Sequence, residues 1–229
     1  MRFIRSNQVI LLWTIGVTAI LLLLNWLGIK GTAIALEEKK VRFLNDRASD
    51  IIGTRPITAP GLVTPPGLTG RGQIVGLADS GLDLGSLKDL HPDLQNISGQ
   101  MPKVVLLKSW SGRATSDDPL GHGTHMAATI VGTGAASDGQ FKGIAPGASL
   151  YFQALLDGGT QLKPPSDLHQ LFYPAYSAGV RVHINGWGGG TCSYGNTAAQ
   201  IDAFVRRYPD FLPLIAAGNS GPKAHSLTS

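Results

Sequence analysis

Three short motifs in the 229-residue chain carry side chains able to move a proton or hold a developing charge. Asp79 opens D-S-G (79–81), His122 sits inside G-H-G-T-H-M-A (121–127), and Asn219 lies in A-A-G-N-S-G-P (216–222). A carboxylate beside an imidazole can orient it and stabilise its protonated form while the imidazole takes a proton from a hydroxyl. An amide N–H can then donate to the oxyanion that develops. Each motif alone also has a plainer reading. D-S-G and G-N-S-G are common turn sequences, and His122 and His125 are compatible with a buried structural pair. As zinc ligands the two histidines would call for the helical H-E-x-x-H spacing with its base, and the sequence offers H-G-T-H instead.

Whether the motifs act together depends on the elements that position them. Ile74, Val75, Leu77 and Ala78 form a short apolar run ending at Asp79, the pattern of a strand buried on both faces. Similar runs recur at Val104 to Leu107, Leu150 to Leu156, Val180 to Ile184 and Leu212 to Ala217. Helical spacing lies between them. One helix is predicted to start near His122 and run through Met126, Ala127, Ile130 and Val131, closed by Gly132. A second runs from Ser166 or Asp167 to Gly179, kinked at Pro174. A third starts at a cap at Asn196 or Thr197 and stops at Pro209. This alternation predicts an α/β fold with a parallel sheet and helices on both faces. Asp79 and Asn219 then follow strand ends and His122 begins a helix, which is where open α/β sheets build their sites.

In this order and rough spacing, D-S-G, H-G-T-H and A-A-G-N-S-G resemble the subtilisin-like serine proteases, the subtilases, over about residues 45–225. The stretch LFYPAYSAGVRVHINGWGG (171–189) is similar to the alkaline, oxidatively stable branch. The resemblance implies an Asp-His-Ser triad, with Asp79 orienting His122, His122 as general base, and Asn219 as oxyanion donor. It also implies that Trp187, Gly188 and Gly189 pair with extended polypeptide substrate, with Gly158 and Gly159 near the opposing strand. No cofactor is required by such chemistry. Calcium is expected by family analogy only, and no Asp-rich loop has convincing ligand spacing, so no metal residues are named.

Three departures stand out. The chain reaches Ser229 ten residues after Asn219, and none of Ser80, Ser220, Ser226 or Ser229 has the G-T-S-M-A context of the family nucleophile. The expectation is therefore the N-terminal part (73–229) of a longer peptidase domain that is inactive alone. The alternative is a truncated, inactive, surface-tethered module that binds peptides. Only Leu36 to Leu44 separates the leader from the family-like region, too little for a full prodomain. Lastly, the usual N-S-W-G reads Asn185-Gly186-Trp187-Gly188, and the usual H-G-T-H-V-A-G reads H-G-T-H-M-A-A. Gly186 is expected to alter the substrate strand.

Residues 1–35 read as a signal peptide or N-terminal membrane anchor. Val9 to Leu27 holds no charge, Arg2 and Arg5 precede it, and Ala33-Ile34-Ala35 has the small-x-small pattern of a cleavage site. Both readings, cleaved and retained, place the rest of the chain outside the membrane, secreted or on the extracellular face. Residues 36–72, with Pro56, Pro60, Pro65, Pro66 and five Gly, read as an extended lead-in. The formal charge is +4, and Arg2, Arg5 and Lys30 supply three of it, which leaves +1 and no electrostatic case for nucleic acid. Cys192 is the only cysteine, so no disulfide forms within the chain.

Overall fold

The computed structural model describes residues 45–59, 67–189, 193–222 and 227. The apolar run 9–27, the small-x-small site and Cys192 lie outside them. Among the described residues no helix is long and apolar enough to cross a membrane.

The apolar runs become five parallel strands: β1 (Ile74–Asp79), β2 (Val104–Ser109), β3 (Ser149–Ala154), β4 (Val182–Asn185) and β5 (Leu212–Ile215). Their order across the sheet is β2-β3-β1-β4-β5. β1 therefore lies at the centre, with Asp79 at its carboxyl end opposite Ala154 of β3. Successive residues feed two cores. Leu77, Leu150 and Phe152 pack on one face with Ala127 and Val131, whereas Ala78 and Tyr151 pack on the other with Leu171, Phe172, Ala175 and Phe204. Both faces being apolar explains why the strands read as continuous runs rather than alternating ones.

The helix predicted at His122 forms over His122–Val131 and ends at Gly132, whose backbone N–H bonds the Ala128 carbonyl. The second and third helices span His169–Ser177, with Pro174 inside, and Asn196–Arg207. The second starts two or three residues later than expected, because Ser166 and Asp167 belong to the preceding loop, where Asp167 Oδ1 accepts the His169 N–H. The lead-in needs correction. It is not extended throughout, since helices form at Asn45–Ile51 and Arg55–Thr58. The Leu68 N–H donates to the Ile57 carbonyl, and a Cβ on Gly67 would collide with the Thr58 carbonyl. Pro56 is tolerated because it falls in the first turn, where its missing N–H has no helical partner to lose. In chain order the helices are α1 (Asn45–Ile51), α2 (Arg55–Thr58), α3 (His122–Val131), α4 (His169–Ser177) and α5 (Asn196–Arg207). α3 packs on one face of the sheet, and α4 and α5 on the other.

Candidate active site

Asp79 is fully buried, and its Oδ1 lies 2.7 Å from Nδ1 of His122, whose side chain is 55% exposed. The carboxylate is thus held in the protein, and the far side of the imidazole is open to a reactant. The Ser80 N–H also donates to Asp79 Oδ1 at 2.7 Å, so the carboxylate is fixed by its own chain turn before the imidazole reaches it. With Oδ1 accepting, Nδ1 carries the proton, and Nε2 of the neutral ring keeps a free lone pair for a hydroxyl proton.

The glycines of the motifs are required by close approach. A Cβ on Gly123 would strike the Gly81 carbonyl oxygen and lie 3.1 Å from Phe152 Cζ. A Cβ on Gly81 would in turn strike the Asp117 carbonyl. The D-S-G turn and the first turn of α3 therefore touch backbone to backbone, and that contact delivers His122 to Asp79.

Gly186 has a role that the sequence did not suggest. A Cβ there would collide with Asp79 Oδ2, which is buried without a hydrogen-bond partner among the described residues. The missing side chain makes room for the carboxylate. Trp187, Gly188 and Gly189 follow β4 into the wall of a cleft of about 780 Å³ that Leu162, Pro164 and Ile201 also line. Gly158 and Gly159 are not among its lining residues. They form the exposed tip of a hairpin closed by the antiparallel Leu156–Leu162 bridge. Asp157 at the base of that tip is held below the usual carboxylate range by hydrogen bonding to Lys163 and by the N–H groups of Gly159 and Gln161. Asn219 is exposed just past β5, on the carboxyl edge of the sheet shared with Asp79, and makes no hydrogen bond to either partner of the dyad. Among the described residues no group of three or more His, Cys, Asp or Glu is arranged to hold a metal ion.

Two residues escaped the sequence reading. Ser80 Oγ accepts the Gly123 N–H at 2.9 Å, and Asp118 Oδ2 accepts the Thr124 N–H at 2.8 Å, so together they satisfy donors at the start of α3 that Gly121 has no side chain to cap. No local signal marked either: Asp118 lies three residues ahead of Gly121, outside the cap and first turn where a helix-terminal carboxylate is sought.

Residues 70–229 match the model of the subtilase family, peptidase S8. The chain belongs to the subtilase family. It is 36% identical over 166 residues to the serine protease/ABC transporter B family protein tagB of Dictyostelium discoideum, covering 67% of this chain and 9% of that protein. Serine protease AprX of Bacillus subtilis is 26% identical over 203 residues, covering 83% of this chain and 42% of AprX. This subtilase chain thus spans less than half the length of either relative. In structure it resembles the Clostridium perfringens CspB protease, with TM-score 0.58, 18% identity, and coverage of 80% of this chain and 42% of that one. Fervidolysin from Fervidobacterium pennivorans gives TM-score 0.50 at 23% identity, covering 79% and 26%. These likenesses establish the subtilisin-like α/β fold.

Proposed function

We propose that this subtilase chain contributes to a serine endopeptidase acting on extended polypeptides outside the cytoplasm, supplying Asp79, His122 and the oxyanion donor Asn219 but not the nucleophilic serine. The observation that carries the reading is the 2.7 Å contact between fully buried Asp79 and half-exposed His122. In this role His122 Nε2 takes the proton of the attacking serine hydroxyl as it adds to the scissile carbonyl, then returns it to the leaving amine. Asp79 stays ionised, holding the tautomer and stabilising the imidazolium. Asn219 donates to the tetrahedral oxyanion. A peptide lies along Trp187 to Gly189 as an added strand, with side chains entering the 780 Å³ cleft. If residues 9–27 are retained, they tether the enzyme to a membrane.

The test is peptide hydrolysis and fluorophosphonate labelling by the gene product that carries these 229 residues together with whatever follows Ser229 in frame. Asp79→Asn is expected to lower kcat by about 10⁴, the scale of the corresponding change in trypsin-like enzymes, and His122→Ala to abolish labelling. Hydrolysis that survives His122→Ala would overturn the reading.

A further inference from the structure

The Ser80 hydroxyl has one proton and two carboxylate oxygens within reach. Asp118 Oδ1 is at 2.7 Å and Asp79 Oδ1 at 3.2 Å. Its lone pairs meanwhile accept the Gly123 N–H at 2.9 Å. The shorter, better-placed acceptor takes the proton. Resting on the reading of Asp79 and His122 as the catalytic dyad, we propose that Asp118 is a positioning residue. It draws the Ser80 hydroxyl proton to itself, so that Asp79 Oδ1 is left to the His122 Nδ1–H and the Ser80 backbone N–H.

The other half of Asp118 makes the arrangement rigid. Its Oδ2 accepts the Thr124 N–H at 2.8 Å and the Thr124 hydroxyl at 2.7 Å, and that hydroxyl accepts the Asp83 N–H at 2.9 Å. One carboxylate therefore ties the turn after β1, at Ser80 and Asp83, to the first turn of α3, the two segments that carry Asp79 and His122. The other ionisable groups on these segments are Asp83, whose Oδ2 accepts the His91 N–H at 2.5 Å, Asp117, ion-paired with Arg113 at 2.6 Å, and His125.

This chemistry makes Asp118→Asn a reversal rather than a deletion. Thr124 presents two donors to Oδ2, so the new amide must turn its oxygen there and its NH₂ toward Ser80 Oγ. Ser80 then becomes the acceptor from residue 118, and its proton turns to Asp79 Oδ1, where it competes with His122. The full chain, ¹⁵N-labelled at histidine in detergent micelles, is observed by NMR for the downfield Nδ1–H resonance of His122 at low temperature. D118N is expected to shift that resonance upfield, and to leave it unmoved when Ser80 is already Ala. An unmoved resonance in D118N alone, or an equal shift with and without the Ser80 hydroxyl, overturns the positioning role and leaves the dyad standing. A parent chain with no downfield His122 proton overturns the dyad itself. S80A keeps the Asp118–Thr124 and Thr124–Asp83 bonds but removes the Ser80 bonds to Asp118 and Gly123, so the resonance of S80A alone is the reference for the double variant, and its thermal midpoint shows that it is folded.

Discussion

The two residues that determine the site most tightly carry no chemistry. Gly123 and Gly81 let two backbone segments meet, and a single methyl group at position 123 has nowhere to go but into the Gly81 carbonyl and the Phe152 ring. Gly123→Ala is therefore expected to destabilise the protein by about 1–3 kcal/mol, the usual cost of overpacking. It should also lengthen the His122–Asp79 contact, so that the thermal midpoint falls and the downfield His122 proton is lost together. A variant that loses one without the other would show that the backbone contact does not set the dyad. His183 is a second buried group with a measurable consequence. It is wholly inaccessible on β4, its Nε2 pairs with Gln153 Oε1 at 2.9 Å, and burial pushes it down from 6.5 to about 3. The unfolded chain takes up a proton near 6.5 that the folded chain refuses until about 3. Its contribution is thus whole above 6.5 and is lost as pH falls toward 3. Acid titration of unfolding should show this slope, and His183→Gln should flatten it.

At the scale of elements, Lys103 links α3 to the sheet. It lies just before β2, is buried, and donates from Nζ to the carbonyls of Val131 (2.9 Å), Pro146 (2.6 Å) and Ala148 (3.1 Å). A cation thus caps the carbonyl end of α3, where the helix dipole favours positive charge, and closes the turn into β3. Lys103→Met leaves buried carbonyls without a donor, an expected loss of about 1–3 kcal/mol measurable by denaturant unfolding. Burial also lowers Lys103 from 10.5 to about 8, so between those values the unfolded chain binds the extra proton and stability rises with pH. The methionine variant should lack that rise. Neither Lys103 nor Asp118 was legible as a structural residue in the sequence, because their partners lie far along the chain: position 103 meets position 148, and position 118 meets position 80. α3 was legible in place and at its end, since an apolar helical stretch beginning near His122 is closed by Gly132. The helices α1 and α2 were hidden by the Pro and Gly content of residues 36–72, which says where the chain turns but not that short helices fit between the turns.

For the whole molecule, the described residues enclose the sheet well on the β1 and β3 side and leave it open on the β5 side. Leu212 is 54% exposed, Leu214 43% and Ile215 39%, all on one four-residue strand at the edge of the described sheet. On the α3 side, an apolar trough of about 430 Å³ lies between α3 and the sheet, lined by Val75, Ile130, Ile144, Val182 and Ile184. An exposed apolar edge strand is a template for pairing with another chain. The parallel fold was predictable because strands buried on both faces leave continuous apolar runs. The same property hid this edge, since LPLI reads like any interior strand and only the sheet order puts it at the edge of the described residues. The 229-residue chain is accordingly expected to bind an apolar dye and to self-associate as its concentration rises. Leu214→Lys places a charge on the open edge without touching the Asp79–His122 pair. It should lower both signals while the downfield His122 proton stays in place. If light scattering and dye fluorescence are unchanged in L214K, association does not run through β5, and the trough beside α3 becomes the surface to alter, beginning with Ile130→Lys.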